Sequence, residues 1–466
     1  MKRLLLIAFT FIGISLFAQK TWVELSAGTE FSAGIQSDGT LWTWGSNMNG
    51  QLGLGDNTER STPTQLGQDN DWKTISCGSF HAIAIKTDGT LWAWGFNGAN
   101  QLGLGNTIDQ NSPIQVGTDS DWKFINAGYG HNFAIKTDGT LWSWGWNMYG
   151  QVGNNTTTDV TIPVQIGSDT NWSFASSGAA HSVGLKTDGT LWVWGFNGNG
   201  QLGLINATDT DEPTQLGTST WKDVSCGYEF TSGIQTDGTL WSWGFNGNTQ
   251  LGLGTISQAD EPTQVGTDNN WTTIRSGASS NFAINSLSEL YATGFNQLGT
   301  LGDGSGSNKS TFTYITDDVD MVYTSEGAAS GGAVYGHHTF LLRNSNKEVI
   351  CATGANFMSQ IGNGYNDDIM AFQCTVGNLN GVGLATEENQ NSFEIYPNPA
   401  NDYATIKFDS EAAAQFILYN ASGAKILAQQ VYSGENVKFK SLVQGIYFYE
   451  VIQKDGNIEK GKLILF

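Results

Sequence analysis

The chain has little proline and little charge for its length, with 7 prolines and 14% charged residues among 466. These scarcities exclude a charged disordered chain and a coiled coil. Beyond the N-terminus no run of 18 or more apolar residues occurs, so we predict no membrane span in the mature chain. Basic residues are few, 21 against 43 acidic ones. Because nucleic-acid binding requires a basic surface, we predict no nucleic-acid partner.

Glycine and aromatic residues are abundant instead: 60 Gly, 17 Trp and 24 Phe, with 39% hydrophobic residues overall. This composition supplies a large core and many tight turns. It predicts an all-β protein.

The N-terminus has the pattern of an export signal. Basic Lys2 and Arg3 precede an apolar stretch over residues 4–17, and Ala18 is followed by a suitable cleavage point. We predict that residues 1–18 are a signal peptide and that the protein is exported.

A repeat of about 50 residues occupies residues 19–383. The string Asp-Gly-Thr-Leu-Trp begins at five positions spaced 49 or 50 residues apart: Asp38, Asp88, Asp138, Asp188 and Asp237. Two degenerate copies follow, around residues 289–291 and 349–351. Each unit contains four short strand patterns, and Asp-Gly makes a tight turn between the second and third. Seven units of four strands predict a seven-bladed β-propeller.

The connection lengths predict which strands share a blade. A long Gly-Gln-Leu-Gly-Leu-Gly connection precedes the fourth strand of each unit, whereas about five residues separate that strand from the next unit. Because strands within a blade are normally joined by hairpins, we expect the blade order four-one-two-three. Residues 372–376 would then complete the first blade and close the ring.

Residues 78–105 run from Gly-x-x-His through Asp-Gly-Thr-Leu-Trp to Gln-Leu-Gly-Leu-Gly. This pattern resembles the regulator of chromosome condensation repeat, and the resemblance extends over about residues 20–383. It implies a seven-bladed propeller. Some eukaryotic members of that family exchange nucleotide on a small GTPase, and some secreted bacterial relatives inhibit β-lactamases. No residue-by-residue match carries either activity to this chain.

A polar linker at residues 384–392 precedes a new pattern. Alternating segments with Ser-Gly and Asp-Gly turns over residues 393–466 predict a small antiparallel β-sandwich. The strings Tyr-Pro-Asn-Pro from residue 396, Gly-Ile-Tyr from 445 and Lys-Gly-Lys-Leu from 460 resemble the C-terminal sorting domain of type IX secretion cargo. The resemblance implies that type IX machinery recognises residues 393–466. It also implies a protein that is secreted or held at the outer-membrane surface of a Gram-negative, Bacteroidetes-type bacterium. An ordinary adhesion sandwich is the alternative.

The cysteines give no clear disulfide framework. Cys77 and Cys226 share one repeat position three units apart, so we predict buried free thiols. Pairing of Cys351 with Cys374 is possible but not decided by the sequence.

The histidines form no metal or catalytic set. His81, His131 and His181 share a position at which other units carry Phe31 and Phe230, which favours packed rings over ligands. We predict no catalytic residue, no metal site and no cofactor. The alternative is a propeller lyase or glycan-active enzyme near blades six and seven, with a pocket formed by the pairs His337-His338 and Asp367-Asp368.

An aromatic loop position is the best candidate for function. Directly after the glycine that ends the third strand pattern, aromatic residues recur, and Tyr149 lies close to one of them. Clustered exposed aromatics favour recognition of a protein or a glycan, and packing against the next blade is the alternative. The predicted binding residues are Phe96, Trp146, Tyr149, Phe196, Phe245 and Phe295. We therefore expect a secreted or surface-exposed binding propeller without catalysis.

Overall fold

The structure is a computed structural model. It describes residues 20–205, 208–325, 329–330, 333–334, 337–376, 394–396, 403–408, 413–420, 424–439, 442, 445–452, 454 and 458–465. The chain divides into two compact units, Met1–Leu379 and Asn380–Phe466. The predicted signal peptide and linker lie outside the described residues. Over the described ranges, no helix has the length and apolar character needed to cross a membrane.

In the part of the first unit that the structure describes, seven four-stranded antiparallel sheets form the seven blades of a propeller. Each of the first four blades takes its strands in chain order. These are β1 (Trp22–Ala27), β2 (Phe31–Gln36), β3 (Leu41–Gly45), β4 (Arg60–Gln65); β5 (Trp72–Cys77), β6 (His81–Lys86), β7 (Leu91–Gly95), β8 (Gln110–Gln115); β9 (Trp122–Ala127), β10 (His131–Lys136), β11 (Leu141–Gly145), β12 (Val160–Gln165); and β13 (Trp172–Ser177), β14 (His181–Lys186), β15 (Leu191–Gly195), β16 (Thr210–Gln215).

The fifth and sixth blades follow the same plan, and the degenerate seventh copy is also a complete blade. A two-stranded hairpin, β26–β27, is inserted between the first and second strands of the seventh blade, whose order is β25-β28-β29-β30. These strands are β17 (Trp221–Cys226), β18 (Phe230–Gln235), β19 (Leu240–Phe245), β20 (Gln258–Gln264); β21 (Trp271–Ser276), β22 (Ser280–Asn285), β23 (Leu290–Gly294), β24 (Lys309–Thr316); and β25 (Val319–Thr324), β26 (Ala329–Ser330), β27 (Ala333–Val334), β28 (His338–Arg343), β29 (Ile350–Gly354), β30 (Ile369–Val376).

The predicted blade order four-one-two-three is wrong. Each fourth strand pairs with the third strand of its own unit, as in the register of Trp92 with Gln115 between β7 and β8. The last strand, β30, pairs with β29 in the seventh blade and does not complete the first. The long connection is therefore an internal part of every blade.

Side-chain hydrogen bonds explain why so long a connection joins adjacent strands. Between β7 and β8, Asn97 Oδ1 accepts from the amide of Leu102, and Asn97 Nδ2 donates to the carbonyl of Asn106. Gln101 Oε1 accepts from the amide of Ala99. These bonds fold the connection on itself, so its ends remain as close as those of a hairpin. The recurring Asn and Gln of the repeat are thus structural.

The Asp-Gly-Thr-Leu-Trp string forms one local unit in each copy. In the second blade, Asp88 Oδ1 accepts from both the amide and the hydroxyl of Thr90, while Trp92 Nε1 donates to the Thr90 hydroxyl oxygen. Gly89 takes a positive φ of 83° in this turn, and its equivalents take 80–86°. The hydrogen bonds from Thr90 hold the pKa of Asp88 below its usual range. The turn aspartates therefore serve the hairpins.

The ring closes where the first blade packs against the seventh. Ser32 Oγ donates to the carbonyl of Gln360 and lies 2.7 Å from His338 Nε2. Trp44 Nε1 donates to the same carbonyl at 2.9 Å, and its ring packs edge-on against Phe340. First strands of successive blades meet around the whole ring, from β1 to β25 and back to β1, so they lie innermost. The fourth strands are the outer edges.

The interface between the third and fourth blades repeats these closing contacts residue for residue. Ser182 Oγ donates to the carbonyl of Gln151 and lies 2.9 Å from His131 Nε2. Trp194 Nε1 donates to the Gln151 carbonyl at 2.9 Å, and its ring packs edge-on against Phe133. Closure consequently needs no exchanged strand.

Tryptophans at repeat positions form much of the core between blades. Trp22, Trp44, Trp94, Trp144, Trp194 and Trp243 are fully buried. Burying one indole removes roughly 150–250 Å² from water. At about 25 cal/mol per Å² that contributes about 4–6 kcal/mol before chain entropy is counted.

In the second blade a lysine lies between two indoles, at the end of strand β6 opposite to His81. Lys86 Nζ lies 4.8 Å from the ring centroid of Trp72 and 4.9 Å from that of Trp92. The same ammonium contacts Asp69 at 2.6 Å and Asp71 at 3.1 Å. Lys136 and Lys186 make the corresponding cation–π contacts in the next two blades.

The four cysteines comprise two buried thiols and one disulfide. Cys77 and Cys226 are buried thiols outside any disulfide, as predicted, and Cys226 Sγ donates to the carbonyl of Ser176 at 3.4 Å. Cys351 and Cys374 form a disulfide that links β29 to the outermost strand of the seventh blade, β30.

The second unit contains two antiparallel sheets in its described residues, ordered β31-β32-β35 and β34-β33-β36-β37. Phe416, Leu418, Val437 and Val451 belong to one apolar core fed by strands of both sheets. The predicted small sandwich is therefore present. Its strands are β31 (Glu394–Tyr396), β32 (Tyr403–Lys407), β33 (Ala414–Asn420), β34 (Lys425–Val431), β35 (Glu435–Lys438), β36 (Gly445–Ile452) and β37 (Ile458–Leu465).

Candidate functional site: an aromatic pocket on the loop face

One end of the propeller carries two kinds of loop from every blade: the turns between first and second strands, and the long connections between third and fourth strands. We call this end the loop face. The two loops are hydrogen-bonded to each other: the amide of Phe96 donates to the carbonyl of Phe80, and the amide of Trp146 donates to the carbonyl of Gly130. The aromatic position at the start of each long connection is thereby fixed beside the neighbouring turn.

A pocket of about 780 Å³ opens on the loop face over the second to fifth blades. Seven of its sixteen lining residues are aromatic, and the rest are amide side chains, small residues and Glu229. Its lining residues are Asn49, Phe80, Phe96, Gly98, Ala99, Gln101, Tyr129, Gly130, Trp146, Tyr149, Ala179, Ala180, Phe196, Gln201, Tyr228 and Glu229.

Five aromatic rings in this wall form a continuous series of contacts. Tyr129 lies 6.1 Å from Trp146 and 6.1 Å from Tyr228 between ring centroids. Trp146 packs edge-on against Tyr149 at 5.8 Å, and Tyr149 continues to Phe196 at 4.9 Å. Mutual edge contacts hold each ring in place and leave other ring surfaces toward the pocket.

The structure brings four of the six predicted binding residues together. Phe96, Trp146, Tyr149 and Phe196 line the pocket. Their rings are neither fully buried nor fully exposed.

The other two predicted residues lie outside this pocket. Phe245 is half-buried, and its ring lies over Gly247 of its own connection. Phe295 is only 8% exposed and packs edge-on against His337 at 6.1 Å. Phe295 thus fits the alternative considered from the sequence, packing against the next blade.

Among the wall residues that sequence reasoning missed, four large side chains come from the turns between first and second strands. They are Phe80, Tyr129, Tyr228 and Glu229. A sequence signal existed: the position of Tyr129 and Tyr228 holds small residues in the equivalent turns, such as Thr29, Ser79 and Ala179. A bulky aromatic residue that interrupts such a series marks a site with a purpose other than repeat packing.

The pocket is electrostatically negative. Glu229 is the only charged side chain in its lining, and none of the ion pairs among the described residues includes it. Burial raises the pKa of Glu229 above its usual value. Burial raises the pKa of Tyr228 to about 12, with further contributions from Tyr129 and from the charge of Glu229. The Tyr228 hydroxyl thus stays protonated close to an acidic group.

The repeat histidines are structural, as predicted. His81 Nε2 lies 2.7 Å from Asn132 Oδ1, and His181 Nε2 lies 3.0 Å from Thr231 Oγ1, so each ring reaches a polar partner in the next blade. Burial lowers the pKa of His81 to about 4 and that of His181 to about 3. These rings are neutral at physiological pH.

The residues of the enzyme alternative do not form a pocket of acids and bases. His337 and His338 are buried, and His338 is bonded to Ser32 in the ring-closing interface. Asp367 and Asp368 lie on the exposed surface, where Asp368 Oδ1 accepts from the amide of Asn356. Among the described residues no group of three or more His, Cys, Asp and Glu is placed to hold a metal ion.

A second cavity, of about 540 Å³, is the central channel lined by the innermost strands. Glu24 on β1 is its most perturbed acid: burial raises its pKa to about 7, although Thr74 Oγ1 donates to it at 2.8 Å. The channel wall has polar Ser and Asn side chains and little aromatic surface. The loop-face pocket is therefore the stronger candidate for binding.

The closed ring of blades defines this protein as a seven-bladed β-propeller with an aromatic pocket at one end. A family model, the RCC1-like domain, matches residues 13–277, and the chain belongs to that family. A second model, the secretion system C-terminal sorting domain, matches residues 394–465. This tail indicates type IX secretion to the cell surface or the extracellular space in Bacteroidetes, and it implies a signal peptide. No curated protein sequence compared with the chain matched it.

Solved propellers share the fold at low sequence identity. Human WBSCR16 is 20% identical, with a TM-score of 0.61 over 69% of this chain and 87% of that chain. Prp20p from Saccharomyces cerevisiae is 16% identical, with a TM-score of 0.63 over 80% of this chain and 90% of that chain. That structure is described together with the binding properties of Prp20p to Gsp1p and histones. At these identities the likeness shows the fold alone.

Proposed function

We propose that this exported propeller is a non-catalytic binding protein that engages a protein partner through the loop face. The observation that carries the proposal is the aromatic pocket over the second to fifth blades. Buried aromatic anchors dominate the energy of protein interfaces, especially Trp and Tyr held in well-packed positions. Trp146, Tyr129 and Tyr228 are residues of that kind.

Exposed apolar side chains around the pocket favour a protein partner over a glycan. Met48 is 72% exposed and Met148 is 61% exposed, both at the start of long connections. Ile108, Ile205 and Ile256 project from the later parts of such connections and are also exposed. Exposed methionines on the same face as an aromatic pocket suit a protein interface, in which aromatic residues and Met are enriched.

The fold presents this surface in a preorganised form. Backbone hydrogen bonds fix the starts of the connections, and side-chain hydrogen bonds from residues such as Asn97 and Asn147 fold the rest. Little side-chain and loop ordering then remains to oppose binding. The related Prp20p, with its reported binding to Gsp1p and histones, shows that a propeller of this family can serve protein recognition.

The test compares capture of partners by the wild type, Trp146→Ala and Leu287→Ala. Leu287 is an exposed apolar residue, 69% accessible, in the turn between β22 and β23 at the opposite end. Cell-surface and culture fractions supply the partners, and mass spectrometry identifies proteins that the wild type retains. We expect Trp146→Ala to lose a specific protein that Leu287→Ala keeps.

Two results would overturn the proposal. Equal recovery of every protein by all three forms would remove the loop face as the binding surface. Loss of a polysaccharide, with no protein affected, would assign the pocket to glycan recognition instead. Tryptophan fluorescence of each variant during urea unfolding shows whether the fold is retained.

A further inference from the structure

We infer that the loop-face pocket takes a positively charged side chain, lysine or arginine, from an exposed segment of the partner. This inference rests on the proposed function and adds the chemistry of the group that enters the pocket. Glu229 supplies the only charge in the lining, and no Lys, Arg or His lines the pocket. Among charged groups, this lining therefore attracts a cation and repels an anion.

The aromatic wall adds attraction for the same kind of group. Tyr129 contacts both Trp146 and Tyr228 through edge-to-face packing. The faces of Trp and Tyr rings carry the negative part of the ring quadrupole, and they attract ammonium and guanidinium groups within about 6 Å. Partial exclusion of water from the pocket strengthens both this attraction and the Coulomb attraction between a bound cation and the Glu229 carboxylate.

The chain itself already uses this combination at another place. Lys86 Nζ lies over Trp72 and Trp92 while Asp69 and Asp71 hold its charge. Two aromatic rings with one or more carboxylates thus form an occupied cation site in the blade interior. The loop-face pocket presents rings and a carboxylate in a cavity of about 780 Å³, and the described residues that line it include no cation.

The charge of the whole protein acts in the same direction. The formal net charge is −22 over the full sequence. Such a field attracts a basic segment and speeds its association, whereas an acidic partner would be repelled. An acidic ligand would also be repelled by the Glu229 carboxylate.

The test uses two small probes that differ mainly in charge: N-acetyl-lysine methylamide and N-acetyl-norleucine methylamide. The full chain is labelled with 5-fluorotryptophan, and its ¹⁹F spectrum is followed during titration. Trp146→Phe assigns the resonance of Trp146, since Phe is the residue of the equivalent position in other blades. We expect the lysine probe to shift that resonance and to bind at least tenfold more tightly than the norleucine probe.

Two carboxylate variants separate a specific charge effect from a general one. Glu229→Gln should weaken the lysine probe by about tenfold, as expected for loss of one charge-assisted contact. Glu30→Gln is the matched control, because Glu30 occupies the same repeat position in the first blade, is also half-buried, and does not line the pocket. It should leave the affinity unchanged.

The possible results distinguish this inference from the proposed function. Equal binding of both probes, no shift with either, or equal effects of the two carboxylate variants would overturn the cationic inference. If Trp146→Ala nevertheless abolishes capture of the protein partner, the proposed function stands and the inserted group is apolar. If capture is unaffected, the proposed function falls as well.

Discussion

Replacing Trp44 by Phe tests how the propeller closes. The Trp44 side chain is fully buried between the first and seventh blades, where its Nε1 donates to the carbonyl of Gln360. Trp194 has the equivalent position between the third and fourth blades. Since both carbonyl acceptors also receive a serine hydroxyl, Ser32 or Ser182, the two sites are matched in packing and in hydrogen bonding.

The expected loss can be estimated from these contacts. The smaller ring gives up about 1 kcal/mol of apolar burial. The missing N–H removes about 1 kcal/mol, and incomplete filling of the space adds a further part. Trp44→Phe and Trp194→Phe should therefore each lower the free energy of unfolding by about 2–3 kcal/mol, and by the same amount within about 0.5 kcal/mol.

Urea unfolding followed by tryptophan fluorescence measures this loss for the propeller alone. All 17 tryptophans lie before residue 272, so the C-terminal unit contributes no signal. Far-ultraviolet circular dichroism, recorded in parallel, reports on the two units together. A normal urea midpoint for Trp44→Phe together with a lowered midpoint for Trp194→Phe would refute closure by direct packing of the first blade on the seventh.

Two further predictions concern acid and reduction. Burial lowers the pKa of His131 to about 3, below the ordinary value near 6.5. Between these two pH values the unfolded chain binds a proton that the folded chain does not. The free energy of unfolding therefore falls by about 1.4 kcal/mol per pH unit for each such histidine as the pH drops from about 6.5 toward 3. The urea midpoint should therefore fall less between pH 7 and pH 5 in the double variant His131→Phe, Ser182→Ala than in the wild type. This variant copies the residues that the first and second blades carry at these positions, Phe31 and Ala82. A pH dependence equal to that of the wild type would contradict the prediction. Reduction of the Cys351–Cys374 bond, which closes a loop of 23 residues, should lower the propeller's stability by about 3 kcal/mol, as should Cys374→Ser; identical midpoints with and without reductant would contradict it.

Much of the fold could be predicted because the repeat encodes local structure directly. Asp88, Thr90 and Trp92 form the same hydrogen-bonded turn in copy after copy, so their spacing identifies strands two and three. The exchange of His for Phe among repeats likewise predicted a packed ring at that position. Such features depend on neighbours within one unit or on the equivalent position of the next.

The blade order could not be predicted from connection length. A connection of some fifteen residues looked too long for a hairpin, yet Asn97 and Gln101 fold it into a compact loop. Side-chain hydrogen bonds of this kind bring the two ends of the connection together, and the number of residues in the connection does not reveal them. The same oversight led to the expectation of an exchanged closing strand.

The candidate site was predictable only in part. Phe196 and Phe245 have the same repeat position, but only Phe196 lines the pocket. Each ring lies over a glycine of its own connection, Gly198 or Gly247, so this contact does not distinguish them. Phe196 is also contacted by Tyr149, which comes from the long connection of the preceding blade. Which rings share a cavity therefore depends on contacts between blades that a single repeat does not contain.

The most direct test of binding at the loop face is site-specific photocrosslinking. A benzoylphenylalanine replaces Met148, which lies two residues beyond Trp146 and is 61% exposed, or replaces Leu287 at the opposite end, which is 69% exposed. Irradiation with cell-surface or culture fractions should give a covalent adduct with one protein from position 148 and none with that protein from position 287. An adduct from position 287 alone would contradict binding at the loop face.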